Sequence, residues 1–138
     1  SHSCCRALRD HDRNLADDQL KALCNAGGVV GINYHRTFLT NRRKAYVKDV
    51  ADHIDYAVKV GGIDCVALGS DFDGGITAPV DMQNAGEFHN LTRELIKRGY
   101  TRTQIEKIYG INFARVLRCV ADNNEYLERN QRKAVDLP

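Results

Sequence analysis

The chain has 138 residues, of which 43% are hydrophobic and 28% charged, with two prolines and no tryptophan, a composition typical of one globular domain. Its formal net charge is +2 and acidic and basic residues are interspersed, so charge gives no argument for a nucleic-acid or membrane-surface partner. No stretch of this sequence approaches the roughly 18 apolar residues of a membrane span, and no signal segment opens it.

The first half of the sequence predicts a helix, a strand and a second helix. Asn14 is expected to cap a helix that begins at residue 15 and ends at the glycine pair 27–28. The apolar segment VVGINY, residues 29–34, predicts a short strand. Residues 44–60 then place apolar side chains at helical spacing, which predicts the second helix.

The second half continues the same alternation. The segment DCVALGSDF, residues 64–72, begins as a buried strand and ends with an acidic residue and a Phe. A glycine-rich loop follows, and residues 86–98 and 101–120 then predict two helical stretches. We expect residues 121–138 to form a polar C-terminal tail.

The alternation of helices with apolar strands is typical of an α/β protein with a parallel sheet. Two complete strands would leave unpaired edges and too little sheet for the helices to cover. The chain is therefore expected to form the carboxyl-terminal part of a (β/α)8 TIM-type barrel, with its βα units in residues 1–120. Such a barrel typically needs about 250 residues, so we expect it to be incomplete without an upstream segment.

Five cysteines are present, but they show no CxxC or regular spacing. They are Cys4, Cys5, Cys24, Cys65 and Cys119. The odd count and irregular spacing favour reduced structural thiols over a disulfide framework or a zinc ribbon. The sequence therefore predicts free thiols.

Polar side chains follow the predicted strands at their carboxyl ends, where the chemistry of a barrel is found. His2 lies at the start of the sequence, where a preceding strand would end. Asn33 and Tyr34 end the middle strand, and Asp71 ends the last one. A hydrolase with a metal-activated water needs imidazole and carboxylate groups that converge on one mouth. We therefore expect His2 and Asp71 to lie close together. Composition alone also allows two simpler interpretations, a polar turn residue at His2 and a turn or helix-capping role for Asp71.

Three blocks of the sequence together resemble one known family. These are SHSCCRALRDHDRN at the start, GSDFDGG after the last strand, and INFARV near residue 112. Across residues 1–120 the chain resembles the carboxyl-terminal part of the membrane dipeptidase (renal dipeptidase) family of the amidohydrolase superfamily. The resemblance implies a (β/α)8 barrel with two zinc ions that cleaves dipeptides.

The resemblance also implies roles for individual residues. His2 matches a zinc ligand, Arg13 matches the residue that holds the substrate's carboxylate, and Asp71 matches the acid that handles the proton of the attacking water. A guanidinium suits a carboxylate because its planar fork donates two parallel hydrogen bonds. Asn33 and Tyr34 are expected to line the dipeptide pocket, with packing an equally good interpretation for Tyr34.

Three further residues receive structural interpretations. Asp73 is expected to fix the glycine-rich loop through backbone hydrogen bonds, and Asn112 to support the mouth of the barrel without direct chemistry. His53 lies one turn from apolar residues of its helix, so we interpret it as a structural histidine.

The remaining metal ligands of the family, an HxD motif, a glutamate and another histidine, are expected upstream of this segment. The chain alone is therefore expected to be poorly folded and inactive, and its partners to be that amino-terminal barrel segment and a dipeptide substrate, with a homodimer by analogy. Two alternatives stay open: another amidohydrolase-type metal hydrolase, or a non-catalytic barrel homologue that acts as a binding module. Cytoplasmic, secreted and membrane-anchored locations of the whole protein also stay open.

Overall fold

Three short parallel strands form the sheet that positions the strand ends. The computed structural model describes residues 1–135, with side chains described through residue 123. The strands are β1 (His2–Ser3), β2 (Val30–Ile32) and β3 (Val66–Leu68), in the order β1-β2-β3. His2 pairs with Gly31, which in turn pairs with Ala67. All three strands therefore present their carboxyl ends at the same edge.

Helices connect and cover these strands. They are α1 (Asp17–Asn25), α2 (Arg36–Leu39), α3 (Val47–Gly61), α4 (Phe88–Lys97), α5 (Arg102–Glu106) and α6 (Asn112–Val135). A π-helical turn, Lys107–Ile111, joins α5 to α6. The α/β class expected from the sequence is confirmed by this alternation of helices with parallel strands.

Several predicted boundaries differ from the observed ones. The strands predicted over 29–34 and 64–72 have three residues each, because the backbone beyond them turns into loops that carry polar side chains. The predicted cap at Asn14 is wrong: α1 follows Ala16, and Asn14 is buried, with its amide donating to the carbonyls of Arg9 and Phe38 at 2.8 and 2.9 Å. Its side chain therefore joins two loops instead of starting a helix.

The core packs the sheet against α3 and the neighbouring helices α1 and α4, and His53 of α3 contributes a polar contact within it. Its Nδ1 accepts a hydrogen bond from the backbone N–H of Cys5 at 3.0 Å, and its Nε2 lies 3.1 Å from the carbonyl of Leu39. Burial lowers the pKa of His53, because desolvation disfavours the charged imidazole. The structural interpretation of His53 is confirmed.

Side chains from α6 hold the amino end of β3. The amide of Asn112 is buried and donates to the carbonyls of Ile63 and Val66, both at 2.8 Å. Arg115 donates to the carbonyls of Gly27 and Asp64 at 2.6 and 2.9 Å. The expectation that Asn112 supports the mouth is therefore wrong, because it satisfies backbone carbonyls at the opposite end of the strand.

A disulfide joins Cys24 to Cys65, with their Cα atoms 5.3 Å apart. The prediction of free thiols is therefore wrong for this pair, whereas Cys4 and Cys5 are buried free thiols and Cys119 is an exposed one. The bond fastens the last turn of α1 to the residue before β3. It closes a loop of 41 residues, and spacing alone gives no sign of such a long-range pairing.

The polar tail predicted over residues 121–138 lies partly outside the described residues. Residues 121–135 continue helix α6, and 136–138 are not described. In the described part of the chain, no helix combines the length and apolar character that crossing a membrane requires.

Gly61 makes a test of the disulfide possible, because a methyl group at Gly61 would collide with Cys24 Sγ. Gly61→Ala should therefore displace this sulfur and raise the fraction of chains in which Cys24 and Cys65 can be alkylated. Gly110→Ala is the matched control, since a methyl group at Gly110 would meet nothing within 4 Å. Peptide mapping without reductant measures the cross-linked fraction.

Loss of the bond should also destabilise the fold. Closing 41 residues removes unfolded-chain entropy worth about 4 kcal/mol in the chain-entropy model, so Cys24→Ala should lower the free energy of unfolding by up to about that amount. Equal alkylation of the Gly61 variant and its control, with no cross-linked peptide in the unsubstituted chain, would rule out the pairing.

Candidate active site

His2 and Asp71 meet at the carboxyl edge of the sheet, as expected from the sequence. His2 Nε2 lies 3.6 Å from Asp71 Oδ2, and the two side chains are 35% and 27% exposed. One group comes from β1 and the other from the loop after β3. An imidazole and a carboxylate therefore face one another at a position that solvent can reach.

The glycines of the neighbouring strands permit this approach. A Cβ on Gly69 would lie 2.7 Å from the Cβ of His2 and 2.8 Å from the backbone of Gly31. A Cβ on Gly31 would lie 2.8 Å from the Cα of Gly69. Because real Cβ atoms do not approach other heavy atoms this closely, a side chain at either position would push β2 away from the segment after β3, and one at Gly69 would also displace His2.

Asp71 has a left-handed backbone conformation, with φ 66° and ψ 28°. This conformation is uncommon for residues other than glycine and costs about 1–2 kcal/mol. It turns the chain from β3 into the single turn Phe72–Gly74, in which the N–H of Gly74 donates to the carbonyl of Asp71 at 3.0 Å. Asp73 is exposed, and this turn closes through Asp71 rather than through the expected bonds of Asp73.

Asn33 and Tyr34, which follow β2, are both fully buried. Asn33 Nδ2 donates to Asp71 Oδ2 at 3.1 Å, and Asn33 Oδ1 accepts from the backbone N–H of His35 at 2.6 Å. The ring of Tyr34 packs edge-on against Phe72 at 5.6 Å. The expectation that Asn33 and Tyr34 line a dipeptide pocket stays a prediction, and neither has exposed surface in this part of the chain.

An aromatic cluster supports the Asp71 loop from below. Phe88 of α4 lies 6.3 Å from Tyr34, 6.0 Å from Phe72 and 6.1 Å from Tyr109, measured between ring centroids. Such pairs contribute about 0.5–1.5 kcal/mol each beyond the area that they bury. The loop is therefore anchored through Phe72, the residue next to Asp71.

Arg13 lies on the ring of Phe38, with its guanidinium carbon 5.7 Å from the ring centroid. His11 and His35 pack edge-on against the same ring, each at 4.8 Å. The hydroxyl of Ser3 donates to the carbonyl of Arg13 at 2.7 Å, which joins its backbone to β1. Among the described residues Arg13 forms no salt bridge, so its charge is available to an anionic ligand.

Burial determines the protonation of the groups beneath the mouth. It lowers the pKa of His35, and the charge of Arg36 lowers it further. It also raises the pKa of the Cys4 thiol and of the Tyr34 hydroxyl well above their usual ranges, and raises the pKa of Cys5 to about 12. These four groups are therefore neutral near pH 7.

The donor set fits part of a metal site. An imidazole and a carboxylate are ligands that zinc accepts, and His2 and Asp71 present both at the same strand edge. No group of three or more His, Cys, Asp or Glu side chains that could hold a metal ion occurs among the residues the structure describes. A complete metal site would therefore need ligands from outside these residues.

Sequence reasoning missed the platform beneath Arg13, formed by His11, His35 and Phe38. The nearest signal was the sequence of the two loops, HDRN and YHRTF, in which histidines stand close to an arginine or a phenylalanine. These loops are about 20 residues apart, and only the folded chain shows that side chains from both pack on the ring of Phe38.

Comparison of the sequence with known proteins points to one family. The model of the family "Membrane dipeptidase (Peptidase family M19)" matches residues 1–131. An uncharacterized dipeptidase of Schizosaccharomyces pombe is 39% identical over 119 residues, covering 84% of this chain and 29% of the relative. The chain thus spans less than a third of this relative's length.

Solved structures agree with the sequence match. An amidohydrolase from Pseudomonas aeruginosa superposes with a TM-score of 0.76 at 30% identity, over 85% of this chain and 43% of that one. A metallo peptidase from Rhodobacter sphaeroides, solved with a phosphinate mimic of the dipeptide L-Ala-D-Ala, gives 0.76 at 29% identity, over 81% and 33%. The observed arrangement of strands and helices is therefore shared with these proteins.

The left-handed backbone of Asp71 predicts how two substitutions differ in stability. Both Asp71→Gly and Asp71→Ala remove the carboxylate, but only glycine adopts φ 66° without strain. The Gly variant should be more stable than the Ala variant by about 1 kcal/mol. Denaturation of the two purified variants measures the difference.

Asp73 provides the matched control, because it is exposed and does not share the positive φ of Asp71. At this position the order should reverse, with Ala more stable than Gly by about 0.5–1 kcal/mol. The same order at both positions would contradict the conformation of Asp71.

Proposed function

Because the chain belongs to the membrane dipeptidase family, peptidase family M19, we propose that it forms part of a zinc-dependent dipeptidase. The observation that carries the proposal is the approach of His2 Nε2 to Asp71 Oδ2, 3.6 Å at the carboxyl ends of two different strands. Hydrolysis with an activated water requires such a pairing of a ligand with an acid–base group.

We further propose that the three strands are the closing strands of a (β/α)8 barrel, and that an amino-terminal segment supplies the others. In support, β1 and β3 lie at the two edges of a parallel sheet, and exposed edges of this kind are normally paired or covered. The same segment would supply the remaining metal ligands, since the described residues provide one imidazole beside one carboxylate.

His2 and Asp71 would have different roles in the reaction. His2 would hold the zinc, which when bound lowers the pKa of a coordinated water toward 7 and polarises a carbonyl. Asp71 would accept the proton of the attacking water and return it to the leaving amine. Its carboxylate suits this role because it is partly exposed, lies next to His2, and forms no salt bridge with a Lys or Arg among the described residues.

Arg13 would bind the terminal carboxylate of the dipeptide. Its guanidinium is exposed, has no carboxylate partner in the described part of the chain, and is supported by the ring of Phe38. The backbone of Arg13 is joined to β1 by the bond from Ser3, and a cation beside the strand that carries His2 would favour a substrate whose carboxylate lies one residue beyond the scissile bond. This anchor would explain a preference for dipeptides over longer peptides.

The proposal is tested with the complete protein that contains this segment, using L-Ala-D-Ala and metal analysis. We expect about two zinc ions per chain, hydrolysis of the dipeptide, loss of activity with a chelator and recovery with zinc. The 138-residue chain alone should be inactive. Activity of the isolated chain would contradict the proposal that an amino-terminal segment supplies the remaining zinc ligands.

Two outcomes would favour the alternatives. Bound zinc with hydrolysis of other amides or esters, but not of dipeptides, would indicate another metal hydrolase. A complete protein that neither retains zinc nor hydrolyses any of these substrates would indicate a non-catalytic binding module.

The role of Arg13 predicts a specific change in kinetics. Arg13→Ala should raise the KM for a dipeptide about 10- to 100-fold, because a hydrogen bond to a charged group contributes about 1.5–3 kcal/mol. A dipeptide amidated at its carboxyl terminus should be hydrolysed poorly by the unsubstituted enzyme, and the variant should no longer discriminate against it. Steady-state assays with both substrates measure this.

Arg102→Ala is the control, since Arg102 is exposed and, among the residues that the structure describes, pairs only with Glu106 of its own helix. It should leave KM for both substrates unchanged. If Arg13→Ala also leaves the KM for the free dipeptide unchanged, another group binds the carboxylate.

A further inference from the structure

Asn33 is buried beneath Asp71, and both polar atoms of its amide have partners. From this geometry we propose that Asn33 is a positioning residue, which orients the carboxylate of Asp71 for the reaction and does not contact the dipeptide. The inference rests on the proposed function, because it assigns Asn33 a part in the same proton-handling site.

The orientation of the amide follows from its second partner. The backbone N–H of His35 can only donate, and it lies 2.6 Å from Asn33 Oδ1. The oxygen of the amide is therefore fixed on the His35 side, and the NH2 group must point toward Asp71. Asn33 thus presents a donor to a carboxylate, which is the arrangement that gives a charge-assisted hydrogen bond.

The backbone of Asn33 is held as firmly as its side chain. Its N–H donates to the carbonyl of Ser3 at 3.1 Å, and its carbonyl accepts from the Cys4 thiol at 3.2 Å. Ser3 and Cys4 are the two residues that follow His2 in the sequence. The donor that orients Asp71 is therefore fixed to the same segment that carries the proposed zinc ligand.

This fixed donor compensates for the conformation of Asp71. The residue has a left-handed backbone and a partly exposed side chain, so its carboxylate would otherwise have several accessible rotamers. Asn33 holds Oδ2 on the side of His2, while Oδ1 has no donor among the described residues. One oxygen is thus restrained, and the other lies against Gly74, where an added Cβ would collide with it.

Asn112 offers a matched control within the same chain. It is also a buried asparagine whose NH2 group has two partners, the carbonyls of Ile63 and Val66. These lie at the amino end of β3, away from Asp71. Substitution of Asn112 should therefore affect stability alone, whereas substitution of Asn33 should affect catalysis.

The test uses Asn33→Asp in the complete protein, since aspartate has the shape of asparagine and keeps the acceptor for His35 but loses the donor to Asp71. We expect kcat to fall about 100-fold, which is typical of a misplaced catalytic group, with KM within about threefold and zinc content unchanged. Asn112→Asp should lower Tm and leave the kcat of the folded enzyme within about threefold.

A double substitution separates positioning from a general structural effect. In an Asp71→Asn background no carboxylate remains to be oriented, so adding Asn33→Asp should reduce kcat by less than about threefold. A structural role would give the same fold-loss in both backgrounds.

The inference is overturned by an unchanged kcat in Asn33→Asp, by a change confined to KM, or by equal losses in the two backgrounds. Crystal structures of the unsubstituted and Asn33→Asp proteins provide a readout independent of activity. If the protein hydrolyses no dipeptide, the proposed function fails, and an Asp71 side chain that keeps its rotamer in the variant then overturns the inference separately.

Discussion

The contact between Gly31 and Gly69 is the constraint on which the site depends. With no side chain at either position, the backbones of β2 and of the segment after β3 approach closely enough for His2 to lie over Gly69. A parallel sheet brings strand ends to one edge, but ordinary side chains at this level would fill the space between them. Glycine at both positions therefore allows His2 and Asp71 to lie close together.

The meeting of His2 and Asp71 could be predicted from the sequence, because it follows from the parallel order of apolar strands with polar residues at their ends. The part played by Asn33 could not. Its position after a strand is visible in the sequence, yet its burial and the direction of its amide depend on the N–H of His35 and the left-handed turn at Asp71. A strand pattern places a residue at the edge of the sheet. The direction of its hydrogen bonds is known only from the three-dimensional structure.

The opposite end of the sheet shows where sequence reasoning failed. Cys24 and Cys65 are joined although their spacing carries no signal, since the pairing depends on α1 packing beside the start of β3. Asn112 was placed at the wrong end of the fold because its position on α6 fixes only a helical face, not the level at which that face meets the strand. Long-range contacts of this kind depend on packing, which periodicity does not encode.

The two ends of β3 therefore have different physical tasks. At its amino end a disulfide and the amide of Asn112 hold the strand. At its carboxyl end Asp71 adopts a costly conformation, which persists because the amide of Asn33 and the packing of Phe72 on Tyr34 hold this turn in place. A rigid lower end allows the upper end to keep a strained, partly exposed carboxylate. Substitutions at Gly31 or Gly69 would alter its distance from His2, whereas those at Asn33 would alter its direction.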